Sequence, residues 1–151
     1  MKDHIYTMTI NEVQDQIIEE FSVFDDWMDK YNFIIELSKE LPPFNPENKT
    51  KQNLINGCQS RVWLNAEMTD GKLVFTADSD AIITKGIVAL LMRVFSNRTP
   101  VEIRETDLYF IDRIGLKQNL SPTRSNGLLS MVKQMRMYAL AYEVKMNQKT
   151  E

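Results

Sequence analysis

Hydrophobic positions in the first forty residues recur at the three- and four-residue spacing of an amphipathic helix. Thr9 and Glu12 have the types and spacing of a capping box, which predicts that the first helix begins after Thr9. Asp25-Asp26 offers a second cap, so the segment up to about Lys39 is predicted to form two helices or one bent helix. The apolar positions that define this pattern are Ile10, Val13, Ile17, Phe21, Phe24, Trp27, Tyr31, Ile34 and Leu37.

The spacing changes to period two in the middle of the chain. Three prolines in residues 41–46 cannot continue a helix and predict a loop. Leu54-Ile55 then predicts a short strand, and apolar residues alternate with polar ones over residues 62–68. Asp70-Gly71 is typical of a tight hairpin turn, so residues 73–77 are predicted to form the returning strand. The pattern therefore indicates a small antiparallel sheet of about three strands.

Helical signals return after the hairpin. Asp78-Ser79-Asp80 provides possible caps for a helix over about residues 81–95, which is apolar on nearly every side and is predicted to be the central buried helix. Gly86 within it predicts close packing of another element. Thr99-Pro100 predicts the start of a short helix, and Gly115 the end of another.

A last helix is predicted from Ser121-Pro122 to about Lys145. Its inward-facing residues are expected to be Leu128, Val132, Met135 and Leu140. The elements together predict an α/β (α+β) fold, with a flexible tail over residues 1–8 and a single domain over residues 9–146.

Composition narrows the class of protein. The chain has 151 residues, of which 43% are hydrophobic and 26% charged, as in ordinary soluble domains. Its formal charge of −3 argues against nucleic acid as a partner. The longest apolar run, residues 87–92, is too short to span a bilayer, and the N-terminus lacks the pattern of a secretion signal. A cytoplasmic location without membrane contact is expected.

The chain has one cysteine, Cys58, in the predicted loop between two strands. Gly57 precedes it and permits a close backbone approach, which predicts a thiol that another macromolecule can reach. A single cysteine excludes an intrachain disulfide and a CxxC redox pair. The only histidine, His4, lies far away in the sequence, so neither a Cys-His dyad nor a metal site is expected, and no cofactor is predicted.

A loop thiol without a base or metal is suited to attack on another sulfur atom. Gln59, Ser60 and the loop amides are candidates to hydrogen-bond its anion, although Gln59 and Ser60 also suit a simple turn. Arg61 is adjacent, but the sequence does not fix the direction of its side chain. Trp63 is more typical of a core residue than of a catalytic one.

Four blocks of the sequence form an ordered set, and the most specific of them surrounds the cysteine. The blocks are Gly57-Cys58-Gln59-Ser60-Arg61-Val62-Trp63-Leu64, Ala77-Asp78-Ser79-Asp80-Ala81 with Lys85-Gly86, Thr99-Pro100, and Leu120-Ser121-Pro122-Thr123-Arg124-Ser125-Asn126-Gly127-Leu128. Together they resemble the SufE-like sulfur acceptors of iron–sulfur cluster assembly, and the resemblance spans about residues 9–140. The sequence departs from that family at Arg61, where a neutral polar residue is common, and in a longer Met-rich end beyond Tyr138.

The resemblance implies a fold of SufE/IscU type, with a small sheet packed by helices and Cys58 in a loop at one end. It implies that Cys58 takes sulfane sulfur as a persulfide from a SufS-type cysteine desulfurase, a pyridoxal-phosphate enzyme, stimulates that enzyme, and passes the sulfur to a cluster scaffold complex. Arg124 is implied to contact the desulfurase or to organise the Cys58 loop. A cation near a helix start is unfavourable to the helix dipole, which favours such a role.

Other functions stay open on sequence alone. A paralogous, CsdE-like acceptor would feed another sulfur pathway, and a non-covalent adapter would regulate a desulfurase without using its thiol. A cluster scaffold needs several ligating cysteines, and a cysteine hydrolase needs a histidine base; the chain offers neither. A sulfur-transfer protein is expected rather than an enzyme with independent turnover. A homodimer is also open.

Overall fold

The computed structural model describes residues 8–149, which form a mostly helical structure around a small antiparallel sheet. The predicted tail of residues 1–8 lies outside this part of the chain except for Met8. The elements are α1 (Ile10–Ser22), α2 (Trp27–Leu37), β1 (Val62–Thr69), β2 (Lys72–Ser79), α3 (Ile82–Phe95), α4 (Pro100–Glu105), α5 (Phe110–Arg113), α6 (Leu116–Asn119) and α7 (Pro122–Lys149).

The N-terminal helices begin where the sequence predicts. Thr9 and Glu12 form a complete capping box, with the Glu12 amide donating to Thr9 Oγ1 at 3.1 Å. Asp26 caps α2 by accepting from the Asp29 amide at 2.9 Å. The two helices are therefore separate, as one of the two predicted alternatives required.

The sheet consists of β1 and β2 in antiparallel register from Val62↔Ser79 to Thr69↔Lys72. Asp70 and Gly71 both have positive φ, as the predicted tight turn demands. The expected third strand at Leu54-Ile55 is reduced to an isolated bridge, Leu54↔Trp63. A 3₁₀ turn ends at Asn53, just before the bridge, and a turn at Asn56-Gly57 follows Ile55. These turns leave only two residues between them, which is too few for a longer strand.

Helix α3 lies at the centre of the fold, and all but a few of its side chains are buried. Gly86 is where α2 packs against it, because a Cβ on Gly86 would collide with the carbonyl oxygen of Ile34. This confirms the predicted close approach.

The predicted caps of α3 are wrong. Asp78 and Ser79 belong to β2, and α3 is preceded by Ala81, which makes no side-chain cap hydrogen bond. Ser79 pairs with Val62 and Asp78 pairs with Trp63, so both residues continue the strand instead of capping the helix. Asp78 instead forms ion pairs with Lys49 and Lys85, at 3.1 and 3.3 Å.

Short helices connect α3 to the last helix. Thr99 and Glu102 form the predicted capping box of α4. Ile114 caps the end of α5, and Gly115 follows it with φ +83°, which confirms the predicted helix end.

Helix α7 packs along the sheet and α4. Its buried residues are Leu128, Met131, Met135 and Ala139, and Val132 is half-buried. Leu140 was expected to face inward but is 50% exposed, because Ala139 takes the core-facing position in that turn. The hydroxyls of Tyr138 and Tyr142 donate to the Leu64 and Ala66 carbonyls at 3.5 and 3.1 Å, so α7 covers the open edge of β1.

Candidate functional site

The Cys58 loop, residues 56–60, is held at both ends by hydrogen bonds of Ile55 and Arg61, its incoming and outgoing stems. On the incoming side the Ile55 amide donates to the Val62 carbonyl at 2.8 Å. On the outgoing side the Arg61 amide donates to Asp80 Oδ1 at 3.0 Å, and the Arg61 carbonyl accepts from Ser79 Oγ at 2.8 Å. The stems hold both ends of the loop to the sheet, so any movement is confined to the residues around the thiol.

The tip of this loop rests on the first turns of α7. Cys58 Sγ lies 3.6 Å from the carbonyl oxygen of Gly127, within reach of a weak S–H hydrogen bond. Gly127 has no side chain to block the approach, since a Cβ there would already contact the sulfur at 3.5 Å. A glycine in the second turn of α7 therefore makes the seat for the thiol.

Gly57 completes the contact with α7. Its φ of +93° lies in the region that favours glycine. A Cβ at Gly57 would meet the Ser130 Oγ at 2.5 Å. Backbone conformation and close packing thus both require glycine before the cysteine.

The thiol is half-buried, and this burial raises the pKa of Cys58 above its ordinary value of 9.0. The S–H contact to the Gly127 carbonyl also suits the protonated form, because a carbonyl accepts and cannot donate to a thiolate. The resting cysteine is therefore a neutral thiol and a weak nucleophile.

A cavity of about 50 Å³ opens beside the sulfur. One water-sized group needs about 10–15 Å³ of such space, so the cavity has room for a small group beside the sulfur. It is lined by Cys58, Gln59, Ser60, Thr84, Ile87, Thr123, Arg124, Gly127 and Met131.

The structure brings the predicted site residues together. Gln59, Ser60 and Arg124 line the same cavity as Cys58, and Gly57 precedes it on the loop. Arg124 is exposed in the first turn of α7, where its amide donates to Ser121 Oγ. Arg61, whose direction was open, is an exposed residue at the outgoing stem.

Several residues of the site were not predicted from the sequence, among them Thr84, Gly127 and Ser130. Gly127 stood in a quoted motif block, but its contact with Cys58 joins positions far apart in the chain. Thr84 and Ser130 carried no signal of their own, because each is an ordinary residue within a helix.

No cluster of three or more potential metal ligands occurs among residues 8–149. Within the same range, no helix has the length and hydropathy to cross a bilayer. A larger, open depression lies along α1, where acidic side chains dominate, and it has no contact with the Cys58 loop.

Known proteins share the fold and much of the sequence of this small helical domain. A solution structure of a hypothetical protein from Thermus thermophilus shares this fold, with a TM-score of 0.70 over 85% of this chain and 94% of that chain, at 19% identity. A SufE-like protein of Rhizobium etli is 43% identical over 81% of this chain and 86% of its own length. A second, from Rhizobium meliloti, is 40% identical over 83% and 93%.

The model of the SufE family, described as an Fe-S metabolism associated domain, matches residues 15–139. The chain belongs to the SufE family. The motif resemblance drawn from the sequence is thereby confirmed. The family match ends at residue 139, so the last turns of α7 extend beyond it.

Proposed function

We propose that this protein accepts sulfane sulfur on Cys58 from a SufS-type cysteine desulfurase and delivers it to an iron–sulfur cluster scaffold. The observation that carries the proposal is the placement of the only thiol of the chain on a loop with fixed stems, beside a cavity of about 50 Å³, in a SufE-family domain. The proposed location is the cytoplasm.

The chemistry needs only the thiol. The Cys58 thiolate attacks the outer sulfur of the persulfide R–S–S–H on the desulfurase, forming a new S–S bond. The S–S bond of the donor breaks, and the donor cysteine leaves as a thiolate. Cys58 then carries S–S–H, so sulfur moves without net oxidation or reduction. Pyridoxal phosphate belongs to the desulfurase, and no cofactor is assigned to this chain.

Partner binding supplies the activation step in this scheme. At rest Cys58 is neutral and half-buried, and its sulfur lies 3.6 Å from the Gly127 carbonyl oxygen. Lifting the loop tip from α7 removes both the burial and the carbonyl contact, and both changes favour the thiolate. A docked desulfurase that lifts residues 56–60 would therefore switch the nucleophile on only where a sulfur donor is present.

Sulfur loading tests this proposal directly. The protein is incubated with a cysteine desulfurase and free cysteine, and separately with glutathione persulfide, and the intact mass is measured. One added sulfur atom, mapped to Cys58 and removed by reductant, is expected. An adduct that fails to form, or that maps elsewhere, contradicts a persulfide carrier.

Cys58→Ser separates this function from the non-covalent adapter. The serine variant is expected to lose both the adduct and stimulation of the desulfurase. Full stimulation by Cys58→Ser would instead establish an adapter. Pull-down of the desulfurase and its downstream recipient distinguishes cluster assembly from a paralogous sulfur pathway.

A further inference from the structure

Thr84 is a buried polar residue that the chemistry above does not use. It lies in the first turn of α3 and is one of the residues that line the cavity beside Cys58. Only 7% of the residue is exposed. Throughout residues 8–149, no hydrogen bond involves its hydroxyl group.

The hydroxyl of Thr84 opens onto the cavity. No side-chain oxygen or nitrogen in the described part of the chain is fully enclosed without a hydrogen-bond partner. The Thr84 oxygen therefore borders free space, and the space that Thr84 lines is this cavity. A threonine in a helix usually turns its hydroxyl to a backbone carbonyl one turn earlier, and Thr84 does not make that bond.

We infer that Thr84 is the residue that holds the transferred sulfur, by donating its O–H to the outer sulfur of the Cys58 persulfide. This inference rests on the proposed function. A persulfide extends the Cys58 side chain by one sulfur atom. The cavity beside Cys58 has room for that atom. Ile87 and Met131 form apolar walls around it.

The chemistry of a persulfide favours this donor. A persulfide is a stronger acid than a thiol, so its outer sulfur carries negative charge at neutral pH more readily. A hydroxyl group donates a stronger hydrogen bond to an anionic acceptor than to a neutral one. The neutral resting thiol has its own partner in the Gly127 carbonyl, which leaves the Thr84 hydroxyl for the loaded state.

The prediction concerns how long the loaded sulfur lasts. Loop residues Cys58, Gln59 and Ser60 line the cavity, so a hydrogen bond from Thr84 to the loaded sulfur would hold the loop in this position. Removing that bond lets the loop open more often and exposes the persulfide to reductant. Because a hydrogen bond to a charged group contributes substantially, we expect Thr84→Val to lose its sulfur about tenfold faster than the parent.

The experiment loads the parent and variants with a cysteine desulfurase and free cysteine, removes both, and follows the mass of the intact protein after addition of a fixed concentration of dithiothreitol. Thr84→Ser, which keeps the hydroxyl, is expected to retain most of the parent lifetime. Thr76→Val, the same exchange on β2, is the matched control and is expected to behave as the parent. Thr84→Ala replaces Thr84→Val if the valine variant does not fold.

The outcomes separate the inference from the proposed function. Failure of the parent to acquire sulfur contradicts the proposed function itself. Equal loading and equal decay in the parent and Thr84→Val overturn the role of Thr84 while the function stands. Alkylation of the unloaded thiol must also be unchanged in Thr84→Val, since an equal increase there would mean that the substitution merely loosens the loop.

Discussion

Gly57 on the Cys58 loop and Ser130 on α7 pack so closely that a methyl group on Gly57 would lie 2.5 Å from the serine hydroxyl. The residues are far apart in sequence, and their contact adjoins the seat of the thiol on Gly127. The Cys58 loop can therefore lie this close to α7 because Gly57 has no side chain.

Gly57→Ala is expected to push the loop tip away from α7 and to expose the thiol. Alkylation of Cys58 by iodoacetamide should become about tenfold faster, as expected if contacts of the order of 1.4 kcal/mol that hold the tip are lost. Gly71→Ala is the matched control, because Gly71 also has positive φ but a Cβ there would meet nothing within 4 Å. Both variants should lose about 1–2 kcal/mol of stability from the backbone conformation, but only Gly57→Ala should expose Cys58.

Ser130→Ala in the Gly57→Ala background tests the cause. It removes the atom at 2.5 Å and leaves the next contact at 3.4 Å. The double variant should regain much of the slow alkylation of the parent. An increase in alkylation that persists unchanged in the double variant would attribute the exposure to backbone strain rather than to the collision with Ser130.

The pH dependence of alkylation reports the buried state of the thiol. Burial raises the pKa of Cys58, so the alkylation rate of the parent should rise with a midpoint above that of a free thiol. Gly57→Ala, with the thiol in solvent, should shift that midpoint downward. A parent midpoint no higher than that of Gly57→Ala would contradict a resting thiol held neutral by burial.

How far the sequence predicts this fold depends on how local the signals are. The Thr9 and Thr99 capping boxes and the Asp70-Gly71 turn involve neighbours in the chain, and the structure has each where expected. The caps at Asp78-Ser79-Asp80 failed because the same residues suit a strand end, and pairing with β1 decided between the two. Local propensity alone does not decide between a helix cap and a strand end, because strand pairing depends on residues elsewhere in the chain.

The site divides in the same way. Cys58 and its loop neighbours form a continuous motif, so their position together was predictable. The seat formed by Gly127 and the hydroxyl of Thr84 come from two different helices, and only packing around the sheet brings them to the cysteine. Leu140 shows the converse error: an apolar residue at helical spacing lies on the outer face of α7.

Arg136 is expected to contribute more to stability than to function. Its guanidinium donates to the carbonyls of Ile103, Arg104 and Thr106 at 3.4, 2.8 and 2.8 Å, at the end of α4, and stacks over Phe95. Arg136→Met should lower the free energy of unfolding by about 1–3 kcal/mol, because three partly buried carbonyls lose their charged donor. Urea unfolding measures this loss.

Lys133→Met on the exposed face of α7 provides the control and should change stability by less than about 0.5 kcal/mol. Sulfur loading of folded Arg136→Met should match that of the parent. Equal stability of the two variants would show that the carbonyls of α4 find water instead.

The ion pair between Glu20 and Arg93 makes stability depend on acid pH. Two hydrogen bonds of 2.8 Å join them, and the Arg93 partner lowers the pKa of Glu20 below its ordinary value of 4.5. A lowered folded pKa means that the contribution is complete above 4.5 and is lost as the pH falls through the folded pKa.

Glu20→Gln should therefore be less stable than the parent at neutral pH, by about 1 kcal/mol for a partly exposed pair. The difference should shrink as the pH is lowered below 4.5. Glu36→Gln, which breaks the exposed pair with Lys39 at 3.2 Å, should show little change at any pH. A Glu20→Gln difference that does not vary with pH would assign the effect to packing.

Arg124 distinguishes a partner contact from a structural role. It is exposed beside the Cys58 cavity, and its guanidinium group makes no hydrogen bond, ion pair or ring contact within residues 8–149. Arg124→Ala should therefore leave the melting temperature nearly unchanged, since exposed substitutions usually cost less than about 0.5 kcal/mol. Stimulation of the desulfurase should fall by more than about tenfold, equivalent to roughly 1.4 kcal/mol of lost interaction.

The readouts for Arg124 separate docking from loop order. Alkylation of Cys58 in the isolated protein should be the same in Arg124→Ala and the parent if the arginine contacts the desulfurase, and faster in the variant if the arginine orders the loop. Lys133→Ala, another exposed cation of α7, should retain full stimulation. Full stimulation by Arg124→Ala would show that Arg124 is only a solvated surface residue. A proportionate loss of stability and stimulation would show that its role is structural.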